Sequence, residues 1–386
     1  MNTPPEIKVI LRSLSLTGVI FSCARPTEKN KTKIEGKIKS LLKTLVEISF
    51  VAITISTVYM SITYGDEYKT TFKITTTTIN VILLLLRVSL LVKKNAILRA
   101  LSKFHALGHW NKSRSPLRKY AMLTCGLCFL LLVAMITSTT IEMLNNYDKY
   151  APYLGLENRN SPCKADAFCS ISIIAHVTMY VIHYVVFPGL LVALLSFVYL
   201  LFSKTFQQHL DELRLRLMEN FSKKEISRTL LVFKAAKKIH LNIETAVSFL
   251  SFLAYALTFG NIFQVVSSIV TGFATDTGIL QMTYSYITFI WSVVWFLALT
   301  MCGTEIRKIE VFLKNMAQDV ITKNLGKKLD AQSDLEYMNL FNACSDLDLR
   351  FTGWGIFEVD KKLILTTTGI LVTYGALEIA AVEEDT

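Results

Sequence analysis

Charged residues are scarce in this chain of 386 residues. Asp, Glu, Lys and Arg together make up 18% of the sequence, whereas hydrophobic residues make up 52%. A soluble domain of this size has too little interior to hide so much apolar surface. The composition therefore excludes an ordinary soluble fold and predicts a membrane protein.

Catalytic and metal-binding motifs are also missing. The sequence contains no HExxH, GxSxG, Walker or paired CxxC pattern, and each of those chemistries depends on its residue spacing. His105 and His109 are four residues apart, but their loop is basic and offers no nearby carboxylate. We therefore expect neither an enzyme nor a protein that holds a metal or a cofactor.

Cysteine is infrequent, with seven residues in the chain. Cys125 and Cys128 have the spacing of a redox pair, but they lie in an apolar segment where ordinary buried thiols are expected. Cys163 and Cys169 lie together in one polar loop. That pair fits either a disulfide or two free thiols.

Long hydrophobic runs, by contrast, are plentiful. Seven segments each reach the roughly 17–25 residues that a helix needs to cross about 30 Å of hydrocarbon. They are Leu45–Tyr64, Ile74–Val92, Tyr120–Leu144, Ile171–Phe202, Ala246–Val270, Leu280–Gly303 and Leu363–Ala381. We therefore predict an all-α, polytopic membrane protein with seven transmembrane helices.

The loops between these segments alternate in charge. The first 44 residues carry nine basic and three acidic side chains, the loop 93–119 carries eight and none, and the loop 203–240 carries nine and four. The loops on the other side are balanced or acidic. Because basic short loops stay in the cytoplasm, we predict an inverted topology with the amino terminus inside and the carboxyl terminus outside. This orientation argues against a rhodopsin-type G-protein-coupled receptor.

The net charge of +11 comes largely from these cytoplasmic loops. Anionic lipid of the inner leaflet is a sufficient partner for it, and nucleic acid is not expected.

We expect a single domain over residues 1–386, because no linker or internal repeat divides the chain. Its parts would be a cytoplasmic arm (1–44), six helices with their loops (45–303), a cytoplasmic anchor region (304–362) and a last helix (363–381).

The fourth segment is longer than a bilayer requires, and Pro188 and Gly189 interrupt it. We expect a kinked helix that continues into the cytoplasm. Its continuation Phe206–Met218 has apolar residues at helical spacing, as do Leu230–Leu241 and Ile306–Ile321. Their apolar faces would pack either within one subunit or in a bundle shared between subunits.

Polar side chains inside the predicted spans are candidates for a ligand site, since such groups are costly in lipid and usually face the bundle interior. Four of them share one face in the outer half of the fourth segment, and others lie on the fifth and sixth. The candidate ligand-binding residues are His176, Tyr180, His183, Tyr184, Asn261, Gln264, Tyr284 and Trp291. They predict either a pocket for a small organic molecule or hydrogen bonds that hold the helices together. Arg87 lies five residues from the end of its segment and is expected to extend towards the headgroups.

The carboxyl-terminal region resembles a known signature. Residues 351–363 read FTGWGIFEVDKKL, and Thr373-Tyr374 lies in the last segment. This resembles the signature of insect gustatory receptors, in which a short helix with the pattern F-x-x-x-G-x-F-x-hydrophobic-D precedes a helix with TY, five hydrophobic residues and QF. The matching residues are Phe351, Gly355, Phe357, Asp360, Thr373 and Tyr374. Ala380 and Ala381 stand where the family has Gln and Phe, and Glu378 interrupts the hydrophobic run.

The resemblance implies a member of the seven-transmembrane insect chemoreceptor superfamily, acting as a ligand-gated cation channel in the plasma membrane of a sensory neuron. It also implies a homo- or heterotetramer with other gustatory receptors, in which each last helix lines a central pore. A small-molecule tastant would bind in the outer half of each bundle. The pore or gating residues would be Thr373, Tyr374, Glu378, Ala380 and Ala381. Glu378 would draw cations to the pore mouth, or would simply reach headgroup water.

Gly375 follows the TY pair where sugar receptors usually have an acidic residue, so a bitter or other plant compound is favoured over a sugar. Two other functions stay open. One is an odorant-receptor-type subunit that needs a co-receptor, which the TY pair disfavours. The other is a metabotropic seven-helix receptor or a transporter.

Overall fold

Helices make up most of the part of the chain that the structure, a computed structural model, describes. The described residues are 4–19, 33–63, 70–107, 115–146, 167–270, 279–324, 338–339, 342, 344 and 347–384. The helices are α1 Pro5–Leu16, α2 Lys33–Thr63, α3 Thr70–Leu107, α4 Ser115–Asn145, α5 Ala167–Val181, α6 Phe187–Glu219, α7 Lys223–Val270, α8 Ile279–Asn324 and α9 Lys362–Glu384.

Six of the seven predicted apolar segments lie inside single helices, apart from Tyr64, which is outside the described residues. The fourth, Ile171–Phe202, spans α5, a π-helical turn at Ile182–Val186 and α6. Four stretches of the described chain are long and apolar enough to cross a membrane: Leu117–Asn145, Ser170–Glu219, Lys223–Ile269 and Thr283–Lys323. Shorter apolar stretches lie within α2, at Thr44–Tyr59, and within α9, at Lys362–Leu377. The prediction of an all-α, polytopic membrane protein is confirmed, and its orientation stays a prediction from charge.

A π-helical turn, Ile182–Val186, joins α5 to α6 just before Pro188. Proline has no backbone N–H, so the regular i→i−4 pattern fails at this point. The turn instead pairs the N–H of Phe187 with the carbonyl of Ile182, and such a bulge lets a helix continue with altered side-chain directions. The predicted irregularity near Pro188 is therefore a π-turn.

Helix α6 forms the centre of the bundle. Nearly every side chain between Phe187 and Phe202 is buried, and α6 packs on α8, α7, α1 and α4. Gly189 allows the closest of these contacts, because a Cβ there would come within 2.7 Å of the Trp291 ring. Helix α3 packs mainly on α7.

The amino-terminal helix α1 is part of this bundle. Ile7, Ile10 and Leu14 share one face at helical spacing and are fully buried. They pack against α4 and α6. Residues 4–19 of the predicted arm therefore lie among the helices.

The three amphipathic stretches are helical, at the end of α6, the start of α7 and the end of α8. Leu210, Leu213 and Leu217 of α6 are buried, as is Leu313 of α8. Arg214 pairs with Asp319 at 2.6 Å across the same two helices. Of the two arrangements that the sequence left open, the structure contains packing within one chain.

The signature before α9 forms a β-hairpin, so the expected short helix is wrong at residues 351–361. Strands β1 (Thr352–Gly353) and β2 (Phe357–Glu358) pair in antiparallel fashion around a turn with Trp354 at φ 52° and Gly355 at φ 73°. Glycine adopts such a conformation without strain. Phe351 stacks on Tyr199 of α6 at 4.0 Å between ring centroids, so contacts with the bundle, rather than local propensity, fix this segment.

Candidate functional site

His183 lies on the π-turn at the centre of the candidate site and is 0% exposed. Its Nε2 is 2.9 Å from Thr54 Oγ1 of α2, and its ring stacks on Phe50 with centroids 4.9 Å apart. The Thr54 hydroxyl donates its only hydrogen to the carbonyl of Phe50 at 2.9 Å. In the neutral imidazole, Nε2–H is therefore the donor to Thr54, and Nδ1 carries the free lone pair.

The Nδ1 atom of His183 is buried and has no hydrogen-bond partner among the described residues. Leaving a buried polar atom without a partner costs about 1–3 kcal/mol. A ligand that carries a hydroxyl or another hydrogen-bond donor would recover this cost. The Nδ1 atom of His183 is thus available to accept a hydrogen bond from a donor group.

A set of tyrosines surrounds His183. Tyr184 donates a short hydrogen bond to Asn80 Oδ1 of α3, and its ring meets that of His183 edge-on at 5.0 Å. Tyr180 lies 4.4 Å from Tyr184 and 6.2 Å from Tyr284 of α8, measured between ring centroids. These rings offer aromatic faces and hydroxyl groups at one place in the bundle.

Gln264 of α7 connects to the same network. Its Nε2 donates to Thr76 Oγ1 of α3 at 2.9 Å. One turn later on α3, Asn80 Nδ2 donates to the carbonyl of Thr76 at 2.8 Å. The network therefore joins five elements: α2, α3, the α5–π-turn segment, α7 and α8.

Three other candidates are placed differently. Asn261 Nδ2 donates to Ser292 Oγ of α8 at 3.3 Å, and Trp291 Nε1 donates to the carbonyl of Val185 at 3.3 Å. Both bonds hold helices together, as the alternative interpretation of polar membrane residues predicts. His176 is half-buried on α5, one turn before Tyr180.

Thr54, Thr76 and Asn80 were not predicted for this site. A signal for Asn80 is present in the sequence, because an amide within an apolar run is costly in lipid unless it has a partner. Threonine gives a weaker signal, since its hydroxyl usually bonds the carbonyl four residues earlier in its own helix. The groups named in this network are uncharged, so the site suits a neutral aromatic molecule with a hydroxyl group.

Arg87 contradicts its sequence prediction, because it does not extend towards the headgroups. It is 2% exposed. Its Nε pairs with Glu47 at 2.6 Å, and its Nη2 donates to the backbone carbonyl of Thr17 at 2.6 Å. A buried guanidinium needs such partners to offset its loss of hydration, and here they come from elements distant in sequence.

The hairpin docks on three helices at the other end of the bundle. Glu244 of α7 accepts hydrogen bonds from the backbone N–H of Thr352, at 3.0 Å, and from its hydroxyl. The Phe357 ring meets Tyr255 edge-on at 5.3 Å. Since the hairpin leads directly into α9, these contacts position the start of that helix.

A network of charges closes the hairpin. Arg307 of α8 pairs with Glu358 and, at 2.9 Å, with Asp360. Arg350 pairs with Asp348 and Glu358. Asp360 also accepts the backbone N–H of Lys362 at 2.9 Å, which caps the first turn of α9.

The arginines set the ionisation of these carboxylates. Hydrogen bonds from Arg350 lower the pKa of Asp348 below its ordinary value, against a smaller opposing effect of burial. Partial burial raises the pKa of Glu358, but the hydrogen bonds and charges of Arg307 and Arg350 outweigh it and lower that pKa overall. Both carboxylates are therefore held in the charged form.

The predicted pore residues lie on α9. Thr373 is exposed, whereas Tyr374 is half-buried with its ring 4.3 Å from Phe263 of α7. Glu378, Ala380 and Ala381 belong to the helix, but their side chains are outside the described part of the structure. Exposed apolar side chains line α9 elsewhere, namely Leu365, Ile370, Val372 and Leu377.

Comparison with known proteins gives no matching family model and no matching curated protein. Solved structures do match. The insect olfactory receptor OR5 from Machilis hrabei in complex with eugenol is similar, with a TM-score of 0.58 and 13% identity over 97% of each chain. Another structure of that receptor gives a TM-score of 0.56 and 13% identity over 96% of each chain. The chain therefore has the polytopic all-α fold of an insect olfactory receptor, and the resemblance to the seven-helix insect chemoreceptors is confirmed at the level of fold.

Proposed function

We propose that this chain is a subunit of a ligand-gated cation channel of the seven-transmembrane insect chemoreceptor superfamily. The fold shared over nearly the whole length supports the superfamily. The match of Phe351, Gly355, Phe357 and Asp360 to the gustatory signature supports a taste receptor within it. We accordingly assign it to the plasma membrane of a sensory neuron.

The single observation that carries the proposal is the enclosed polar and aromatic network around His183. The Nδ1 atom, unpartnered among the described residues, could accept a hydrogen bond from a ligand hydroxyl, and the neighbouring rings of Tyr180, Tyr184 and Tyr284 would offer faces to an aromatic ligand. A neutral phenolic or hydroxylated plant compound satisfies both features. A sugar, which has many hydroxyls and no aromatic face, satisfies only the first.

Gating follows from a shift between two populated arrangements of the helices. Ligand in the network would favour the arrangement in which α9 of each subunit moves away from a central axis. The anchor region 304–362 would transmit this movement, since its hairpin connects α6, α7 and α8 to the first turn of α9. In a tetramer, homomeric or with other gustatory receptors, the exposed apolar residues of α9 would pack against neighbouring subunits or lipid.

Whole-cell recording tests this proposal. Cells that express the chain would be exposed to eugenol, related phenols and sucrose, with G-protein signalling blocked inside the pipette. We expect phenols to evoke cation currents and sucrose to evoke none. A response that disappears with the G-protein block would overturn the channel mechanism, and silence to every compound would count against a homomeric channel.

An odorant-receptor-type subunit is the second candidate, and one observation favours it: Ala380 and Ala381 replace the Gln-Phe pair that gustatory receptors have near the gate. Co-expression with an odorant co-receptor separates the two. Currents that appear only with that co-receptor would identify an odorant-type subunit. Epitope tags at the two ends, detected in intact cells, test the inverted topology, and an exposed amino terminus would revive the metabotropic alternative.

A further inference from the structure

The helix α1 ends in a turn that requires glycine. The N–H of Thr17 bonds the carbonyl of Leu14 at 3.1 Å, and Gly18 then adopts φ +94°. A Cβ at Gly18 would lie 2.9 Å from Arg87 Nη2 and 3.0 Å from a methyl group of Val46. Glycine is thus needed here both for its backbone conformation and for the approach of the arginine.

Arg87 holds the carboxyl end of α1 inside the bundle. Its guanidinium bonds the Thr17 carbonyl, and the carboxyl end of a helix attracts positive charge. The same guanidinium pairs with Glu47 at the start of the first predicted span. The bond of Nη2 to Glu47 is longer, at 3.3 Å, and Nη1 has no partner among the described residues. The placement of Arg87 therefore depends on its ring contacts as well as on hydrogen bonds.

Two aromatic rings next to His183 receive those contacts. The Arg87 Cζ atom is 3.9 Å from the Phe50 ring centroid and 4.8 Å from that of Phe187. Phe50 is the ring on which His183 stacks, and its carbonyl accepts the Thr54 hydroxyl that bonds His183. Cation–π contacts are strongest when both partners are shielded from water, as they are here. The same Phe50 that positions His183 is therefore positioned by Arg87.

We propose that Arg87 is a positioning residue that links the docked helix α1 to Phe50, the ring on which His183 stacks, so that the placement of α1 determines the conformation of the ligand site. The link from α1 through Arg87 and Phe50 to the π-turn is mechanical and independent of any channel activity. It rests on the proposed function only in treating His183 as a ligand anchor. A ligand at His183 and a change at α1 then affect one another, as coupled sites must.

Hydrogen–deuterium exchange on the full-length protein in lipid nanodiscs tests the link without any ligand. In Arg87→Met we expect hydrogen exchange to rise about tenfold or more in peptides 5–17 and 182–188. The guanidinium bonds Thr17 in the first peptide and lies over the ring of Phe187 in the second. Arg87→Lys keeps the charge but loses the planar fork, so we expect a smaller rise in the same two regions. The hairpin peptide 347–361 serves as a distant reference and should be unchanged.

Arg214→Met is the matched control. It removes the partly exposed ion pair between Arg214 and Asp319 elsewhere in the bundle, so hydrogen exchange in peptides 5–17 and 182–188 should not change. If Arg87→Met does not fold, Glu47→Gln weakens the same cluster with its shape retained. A rise confined to 5–17 would refute the link, because α1 would then move without the π-turn. A uniform rise that includes 347–361 would also refute it, by assigning Arg87 a general role in stability.

Gly18→Ala provides an independent test, because it displaces the end of α1 from Arg87 while both the Arg87 and the Glu47 side chains are retained. We expect faster exchange in 182–188 for Gly18→Ala but not for Gly126→Ala, whose added Cβ meets no atom within 4 Å. Unchanged exchange in Gly18→Ala would contradict the proposal. If the channel assays fail while exchange at the two regions stays coupled, only the proposed function is lost.

Discussion

Gly303 of α8 is a point of close approach between the bundle and the hairpin, and its replacement by alanine should push the two apart at this point. A Cβ at this position would overlap a methyl group of Val359 and lie 2.7 Å from the Val359 carbonyl oxygen. The backbone carbonyl cannot rotate away as a side chain can, so the hairpin must shift. Overpacking of this kind costs about 1–3 kcal/mol.

An opposing effect reduces this cost. Alanine is favoured over glycine within a helix by about 1 kcal/mol, and Gly303 lies inside α8. We therefore expect Gly303→Ala to lower the free energy of unfolding by up to about 2 kcal/mol. Titration of the purified protein with SDS, followed by circular dichroism, measures this free energy.

Gly369 of α9 is the matched control, because a Cβ there meets no heavy atom within 4 Å. Gly369→Ala should be neutral or stabilising by up to about 1 kcal/mol. Adding Val359→Ala to Gly303→Ala removes the overlapping methyl group but leaves the carbonyl, so we expect partial rescue. If Gly303→Ala is as stable as Gly369→Ala, the close approach of the hairpin to α8 is wrong.

The remaining predictions concern the ligand site and the hairpin. Tyr184→Phe removes only the hydroxyl that bonds Asn80, a loss of about 0.5–1.5 kcal/mol. The concentration of phenol that gives half-maximal current should therefore rise about 2–10-fold. Tyr286→Phe, at an exposed tyrosine, should leave that concentration unchanged. The lowered pKa values of Asp348 and Glu358 give a stabilising effect that is complete above the ordinary carboxyl pKa of about 4 and is lost as pH falls through the folded values. The thermal midpoint should therefore drop in acid, and less so in Glu358→Gln; an equal drop in both would contradict this. Phe351→Ala should cost about 3–5 kcal/mol in SDS titration, and a loss below about 1 kcal/mol would show that its stacking on the bundle is dispensable.

Some errors of the sequence interpretation have a common physical cause. Arg87 was interpreted from its depth in one helix, whereas its partners Glu47 and Thr17 are 40 and 70 residues away. The short helix expected at residues 351–361 came from the resemblance to the gustatory signature, but this segment is a hairpin held by Tyr199 and Glu244 from other helices. In both cases contacts distant in sequence decided the outcome.

The candidate site was predicted in part. Periodicity placed Tyr180, His183 and Tyr184 on one face of one helix, and the structure joins all three. Periodicity within one helix does not show how neighbouring helices align, so the roles of Asn80 and Thr54 were missed.

The sequence by itself determined that the chain is helical and where its apolar segments lie, because a backbone in lipid must satisfy its hydrogen bonds within each segment. Tertiary structure alone decided which polar groups meet and that α1 enters the bundle. It also decided that Arg87 pairs with Glu47 and the Thr17 carbonyl instead of extending to the headgroups. Those outcomes depend on how helices dock, and docking is governed by small residues such as Gly18, Gly189 and Gly303, whose importance lies in the neighbours they admit.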